Sequence, residues 1–449
     1  MSSKSLLAEG PTADSPVGRA DHSSSIQVDS AQRGPTIKSA PRPEKHRLAA
    51  VDGLRAFACL SVLLVHCFVY ASQPLYRISV GPFRPNPLRI LQFGNTGVNL
   101  FLVLSGFCLF LSVASPGRLE TFSLNRFAEK RFWRIVPAYY ATIVVCALMW
   151  PVCRWLSQAT GLRYEPGAGW PSPASWVLHA ILMHPLRPAA NFDLNGPFWS
   201  LGLEWQFYIC FPAMAWAFHK VGATRAVLIF LATTIAYRMI VGHFVAGAST
   251  TVNWTWISSN IPGRAADFAI GMLAAWQVGR GLLHAWNLPK AAAYVVLGLA
   301  AAAAGVKTAP FSVFNDLLWS IAYYCMLMGA IGGAPMLGWL LSRWAMTWIG
   351  ERSYSIYLIH LPLLVLIAPP LQHRLRGIPL LIALVAFLLP VTFMAATVWY
   401  WLFERPFLRG TPAWWPLHLT NRNATASNQS DQITGNVLTV PAASADLAS

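Results

Sequence analysis

Charge is what this sequence has least of. Only 11% of its 449 residues are charged, where a soluble domain carries about 25%. Acidic residues are the scarcer sign, 17 against 33 lysines and arginines. With 55% hydrophobic residues, a soluble globule would lack the polar surface to cover itself. Apolar runs recurring from Leu48 to Phe403 read instead as a polytopic membrane protein. The shortage of carboxylates also weighs against a lipid-linked glycosyltransferase, which needs an acidic pair or metal-binding carboxylates near an interface.

Other absences narrow the reading further. The seven cysteines form no CxxC pair and no Cys/His cluster, so no disulfide framework and no metal site is expected. No apolar stretch follows the first basic residues, which argues against a cleaved signal peptide. Residues 1–46 read as a disordered tail rich in Ser, Pro and Ala, and 411–449 as a second one. The net charge of +16 does not point to nucleic acid, because the basic residues sit in tails and between apolar runs.

What remains, 47–410, reads as an all-α membrane domain of about ten transmembrane helices. They centre on 49–71, 94–113, 135–156, 198–218, 225–246, 262–281, 288–306, 312–333, 345–368 and 379–403. The loop at 158–197 carries ASWVLHAILMH (174–184), too short to span and expected to be re-entrant or interfacial. Arg118, Arg126, Lys130, Arg131 and Arg134 outweigh Arg154, Arg163 and Arg187 on the other side. That bias places both termini in the cytoplasm, and the plasma membrane is the expected location.

Polar residues inside these runs are the candidates for chemistry, since they are costly in lipid and tend to mark sites. In VDGLRAFACLSVLLVHCFVY (51–70), Arg55 and His66 fall within about 20° of one face and roughly 16 Å apart along the axis. Histidine titrates near neutrality and suits proton transfer. Arg131 and Arg134, at i and i+3, present two guanidinium forks that match phosphate geometry. Ser200 and Glu204, at i and i+4, share a face, where Glu204 serves chemistry or pairs with an arginine. Ser353, Tyr357 and His360 form a stripe that lines a cavity or satisfies itself. Trp199 and Trp205 are stacking surfaces or interface aromatics. Gly97, Ser105 and Gly106 suit close helix packing, Arg264 and Asp267 an ion pair, and Glu404 an internal anchor.

Seven blocks in order carry a resemblance. They are VDGLRAFACLSVLLVH, GNTGVNLFLVLSGFCLF, EKRFWRIVPAYY, FWSLGLEWQFYICFP, GRAADFAIGMLAAW, WIGERSYSIYLIHLP and WLFERPF. Together they resemble the acyltransferase-3 family, integral membrane enzymes that move acyl groups, usually acetyl, onto hydroxyls. The resemblance implies acyl-CoA as donor, with no bound cofactor. Its phosphates would rest on Arg131 and Arg134, with Arg55 near the entry. It also implies His66 as general base, Glu204 supporting it, and an acceptor cavity of Ser200, Trp199, Tyr357, His360 and Asn99. Asn99 stands where the family often has an acidic residue, and Ala56 where glycine is frequent. The implied acceptor is a hydroxyl-bearing sugar, glycolipid or metabolite. His66 as a covalent acyl carrier is an alternative chemistry. A secondary transporter of a sugar or metabolite is an alternative of another class, though no paired repeats support it.

Overall fold

The computed structural model describes residues 45–72, 87–115, 117–165, 170–244, 256–281, 288–307, 314–332 and 335–408. The two tails read from the sequence lie outside them, apart from the start of the first helix. The described residues form helices and turns, with no strand among them. In chain order the helices are α1 (Lys45–Tyr70), α2 (Gly97–Leu111, after a 3-10 segment from Pro87), α3 (Leu124–Thr160), α4 (Pro173–Ala180) and α5 (Phe198–Val221). Then follow α6 (Ala223–Phe244), α7 (Ile261–Gly279), α8 (Leu288–Lys307) and α9 (Asn315–Gly332). Last come α10 (Pro335–Leu341), α11 (Trp344–Glu351), α12 (Ser353–Arg374) and α13 (Gly377–Trp399).

Six of these segments are long and apolar enough to cross a membrane: Ala49–Tyr70, Ile90–Leu111, Leu124–Thr160, Ala223–Phe244, Ser353–Arg374 and Gly377–Phe407. The other four expected crossings, now α5, α7, α8 and α9, are helical but do not meet that measure. The chain is thus an integral, multi-pass helical protein.

Two boundaries differ from expectation. The third crossing was expected from 135, yet α3 is one 37-residue helix, about 55 Å long at 1.5 Å per residue. Ser123 starts it by accepting from the Arg126 backbone N–H, and Gly161 ends it with φ 70°, a left-handed conformation that glycine adopts freely. Arg131 and Arg134 therefore lie inside a helix. The expected 345–368 crossing is broken at Arg352, whose guanidinium lies 4.5 Å from the Trp348 ring centre and 5.0 Å from that of Tyr400. In the long loop, α4 is a single short helix, as its length predicts.

Helices α2 and α7 pack backbone against backbone. A methyl group on Gly106 would overlap the Phe268 carbonyl, and one on Gly271 the Val103 carbonyl. Small residues let the two backbones touch, as in lipid-embedded helix pairs. Around this contact lies a buried ion network. Arg238 meets Asp316 at 2.9 Å, and Arg264 meets Asp316 at 2.8 Å and Asp267 at 3.4 Å. The expected Arg264–Asp267 pair is thus half of a four-residue cluster whose charges cancel.

Candidate active site

Two cavities lie end to end in the bundle. Along α1, Arg55 lines one and Tyr70 the other, a separation of about 22 Å at 1.5 Å per residue. α3 and α12 repeat the order: Arg131, Arg134 and Tyr354 line the first, Cys146, Val365 and Gln372 the second. We refer to the arginine end and the far end. In the arginine-end lining the Ser200 and Tyr357 hydroxyls stand 2.7 Å apart, and the Tyr357 hydroxyl is 3.2 Å from the Pro197 carbonyl.

The arginine-end cavity, ≈ 110 Å³, brings together eight residues singled out in the sequence: Arg55, Ser105, Arg131, Arg134, Ser200, Glu204, Ser353 and Tyr357. Its three guanidiniums are held differently. Arg55 pairs with Asp52 at 3.0 Å, one turn away on α1, and donates to the Cys108 sulfur at 3.4 Å. Arg134 pairs with Glu404 at 2.9 Å. Glu404 is fully withdrawn from solvent and also accepts from Ser355 at 2.7 Å. It reaches that position because the end of α13 continues as a π turn, Tyr400–Glu404. Arg131 has no carboxylate within ion-pair distance among the described residues. Its charge lies over the rings of Tyr208 and Phe127, 5.6 and 5.7 Å from their centres, and its Nε is buried without a partner.

His66, one turn before Tyr70 on α1, is half-buried and, like His360, is absent from the lining of both cavities. Its Nδ1 is 2.7 Å from the Val62 carbonyl oxygen. A carbonyl only accepts, so Nδ1 carries the proton and the Nε2 lone pair is free. The same logic applies to His360. Its Nδ1 is 2.8 Å from the Tyr357 carbonyl, so its bare Nε2 faces His66 Nδ1 at 3.4 Å. The rings tilt at 55° with centres 5.0 Å apart. His66 thus has a fixed tautomer and a partner that accepts from its protonated nitrogen.

Glu204 does not hold His66. One of its oxygens accepts from Tyr208 at 2.6 Å and from Ser105 at 3.2 Å, which keeps the carboxylate at the arginine end. The groups that meet His66 Nδ1 are the Val62 carbonyl at 2.7 Å and, at 3.4 Å, His360 Nε2. Asn99 lies in neither cavity: its Nδ2 donates to the backbone and side chain of Asp316 at 3.1 and 3.3 Å, at the edge of the buried ion network. Trp199 packs half-buried against the core and lines neither cavity. Ser353 and Tyr357 line the arginine end while His360 turns to His66, so the α12 stripe does not face one cavity alone.

Sequence reasoning did not find the network that sets the start of α5. His179 Nε2 lies 2.8 Å from Asp193, and its Nδ1 lies 3.1 Å from the Tyr139 hydroxyl. His184 stacks on His179 with ring centres 4.1 Å apart, and its Nε2 donates to the Phe198 carbonyl at 2.9 Å. Burial, with His179 adding to it, pushes the His184 imidazole down to about 3. The closely spaced histidines of the 174–184 stretch were the available signal.

Residues 48–404 match the family model described as an acyltransferase domain. The chain is 27% identical to "Acyltransferase MdmB" of Streptomyces mycarofaciens over 75% of its own length and 82% of that protein. It is 25% identical to "Peptidoglycan O-acetyltransferase OatA" of Listeria monocytogenes, covering 75% of this chain and 52% of the relative. With "O-acetyltransferase OatA" of Staphylococcus aureus the identity is 23%, over 80% of this chain and 57% of the relative. The chain therefore spans little more than half the length of these two O-acetyltransferases. No solved structure matches it.

Proposed function

The chain belongs to the acyltransferase-3 family, and from that premise we propose that it transfers an acyl group, acetyl in the simplest case, from acyl-CoA to a hydroxyl, with His66 as the base. The reading rests on one observation above the others: the only ring nitrogen of His66 left without a hydrogen is Nε2. A neutral imidazole with a committed Nδ1–H and a free Nε2 is the form a general base needs.

The donor enters at the arginine end, which in this reading faces the cytoplasm. Arg131 takes a CoA phosphate, since its charge is otherwise met only by ring faces. Arg134 and Arg55 keep their carboxylates and contribute field. The thioester then reaches the Ser200–Tyr357 hydroxyls, either of which can donate to the carbonyl oxygen as negative charge develops there. His66 Nε2 removes the acceptor's hydroxyl proton while that oxygen bonds to the thioester carbon. The C–S bond breaks, CoA leaves as thiolate, and the imidazolium returns the proton to it. His360 accepts from His66 Nδ1–H throughout, which fixes the ring and supports its transient charge. Names of relatives extend the acceptor to a hydroxyl-bearing carbohydrate such as peptidoglycan.

The test is acetyl-CoA cleavage and acyl transfer by the purified protein. His66→Ala should lower turnover by about 10²–10⁴-fold, the usual contribution of a positioned base. A folded His66→Ala protein with wild-type turnover would remove the assignment.

A further inference from the structure

Tryptophan and arginine recur at one spacing. Five times the chain sets an arginine four residues after a tryptophan: WPVCR, WQVGR, WLLSR, WIGER and WLFER. Residues four apart are neighbours on a helix surface, so each guanidinium can reach its ring. In four of the five it does. The guanidinium carbon is 4.3 Å from the ring centre in Trp276–Arg280 and 3.7 Å in Trp339–Arg343. It is 4.5 Å away in Trp348–Arg352 and 3.6 Å in Trp401–Arg405. The remaining pair, Trp150–Arg154, lies toward the far end of α3.

The stacked pairs stand at the arginine end. Arg405 follows Glu404, which holds Arg134. A methyl group on Gly53 would meet the Leu341 carbonyl at the end of α10, and one on Gly350 the Asp52 carbonyl beside Arg55. One on Gly279 would meet Ala114, just past the end of α2 that carries Cys108. Not all four are equally engaged. Arg352 is half-buried, pairs with Glu351 at 3.3 Å and donates to the Trp348 carbonyl at 3.1 Å. Arg343 and Arg405 have no carboxylate within ion-pair distance among the described residues, and each lies over its ring. Those rings are open to the outside, Trp339 by 55% and Trp401 by 48%, and Leu340 and Leu402 beside them are exposed as well. Helix α11 joins the two pairs into one flank. Its exposed Trp344 meets Trp348, which meets Phe393 of α13, and Arg352 reaches Tyr400 beside Trp401.

We propose that this flank, made by α10, α11 and the end of α13, binds an anionic phospholipid of the leaflet at the arginine end. Arg343 and Arg405 donate to the headgroup phosphate, for which a guanidinium fork is well shaped. The rings of Trp339 and Trp401 hold the two forks in place, and the acyl chains cover Leu340, Leu402 and Trp344. Arginines without carboxylates favour a headgroup of net negative charge. A zwitterionic lipid carries its own cation beside the phosphate and gains less. A free anion would satisfy the arginines and leave the leucines and tryptophans uncovered. The site rests on the multi-pass helical fold and not on the acyl-transfer reading.

The test places the full chain in nanodiscs of phosphatidylcholine and phosphatidylglycerol in equal parts. Mass spectrometry of the intact protein then counts the lipids that stay bound. Phosphatidylglycerol should be retained in preference to phosphatidylcholine. Arg343→Gln and Arg405→Gln should each lower that preference about fivefold, the worth of one cation at an anionic surface. Arg154→Gln removes the same charge at the far end and should leave the preference unchanged. Should Arg405→Gln lose its melting transition, Arg343→Gln and the wild-type preference decide. Equal retention of the two lipids by the wild type overturns the site. So does a preference unchanged in both variants, or one that falls equally in Arg154→Gln. Displacement of bound phosphatidylglycerol by inorganic phosphate would give the arginines to a free anion and overturn the lipid assignment.

Discussion

The two ends of the bundle answer the same problem, polar groups inside a membrane protein, in opposite ways. At the arginine end charge is kept and paired: Asp52 holds Arg55 and Glu404 holds Arg134, while Arg131 rests on aromatic faces. At the far end the interior is uncharged, and the ion pair is left at the rim. Such an asymmetry suits a reaction whose one substrate is a polyanion and whose other is not. Between the ends lies a pair of histidines rather than a carboxylate. In the proposed reading the base is thus held by neutral groups, the Val62 carbonyl and His360.

The difference can be broken first within the arginine end. Arg134→Ala would leave Glu404 charged and buried with no cation, a loss of about 3–5 kcal/mol, read as a lowered melting temperature. Arg131→Gln removes no ion pair and should leave melting nearly unchanged. It should instead raise the KM for acyl-CoA about ten- to a hundredfold, the worth of a hydrogen bond to a charged group. Equal behaviour of the two variants, in either assay, would dissolve the distinction between a structural and a donor-binding arginine.

A smaller effect concerns the histidine network at the start of α5. His184 takes its proton near 6.5 in the unfolded chain and only near 3 in the folded one. The unfolded state therefore binds more protons as pH falls through that window. Stability is complete above about pH 6.5 and declines below it, by about 1.5 kcal/mol at pH 5.5. Melting measured between pH 7 and 5.5 should show the decline, and His184→Gln should make it shallower. An unchanged slope in the variant would mean that another group carries the acid sensitivity.

Much of this organisation was legible in the chain, and the limit is physical. The face shared by Arg131 and Arg134 follows from helical spacing, and both do line one cavity. Their division of labour does not, because Glu404 approaches from the last helix through a π turn that local spacing cannot predict. The polarity of His66 marked it, but its partner lies 294 positions away on α12, so a carboxylate was the expected support. Asn99 was expected in the cavity from the family resemblance. Its packing beside Asp316 depends on how α2 meets α9, which no single helix records.

The account turns on His66 being the base and His360 acting only through it. The most direct test is a double-mutant cycle on turnover, with His66→Ala, His360→Gln and the pair together, each checked for folding by CoA binding. If His360 acts through His66, the double variant should be no slower than His66→Ala alone, because the single loss already removes the group that His360 positions. Independent, multiplying losses would contradict the account and give each histidine its own part in the reaction.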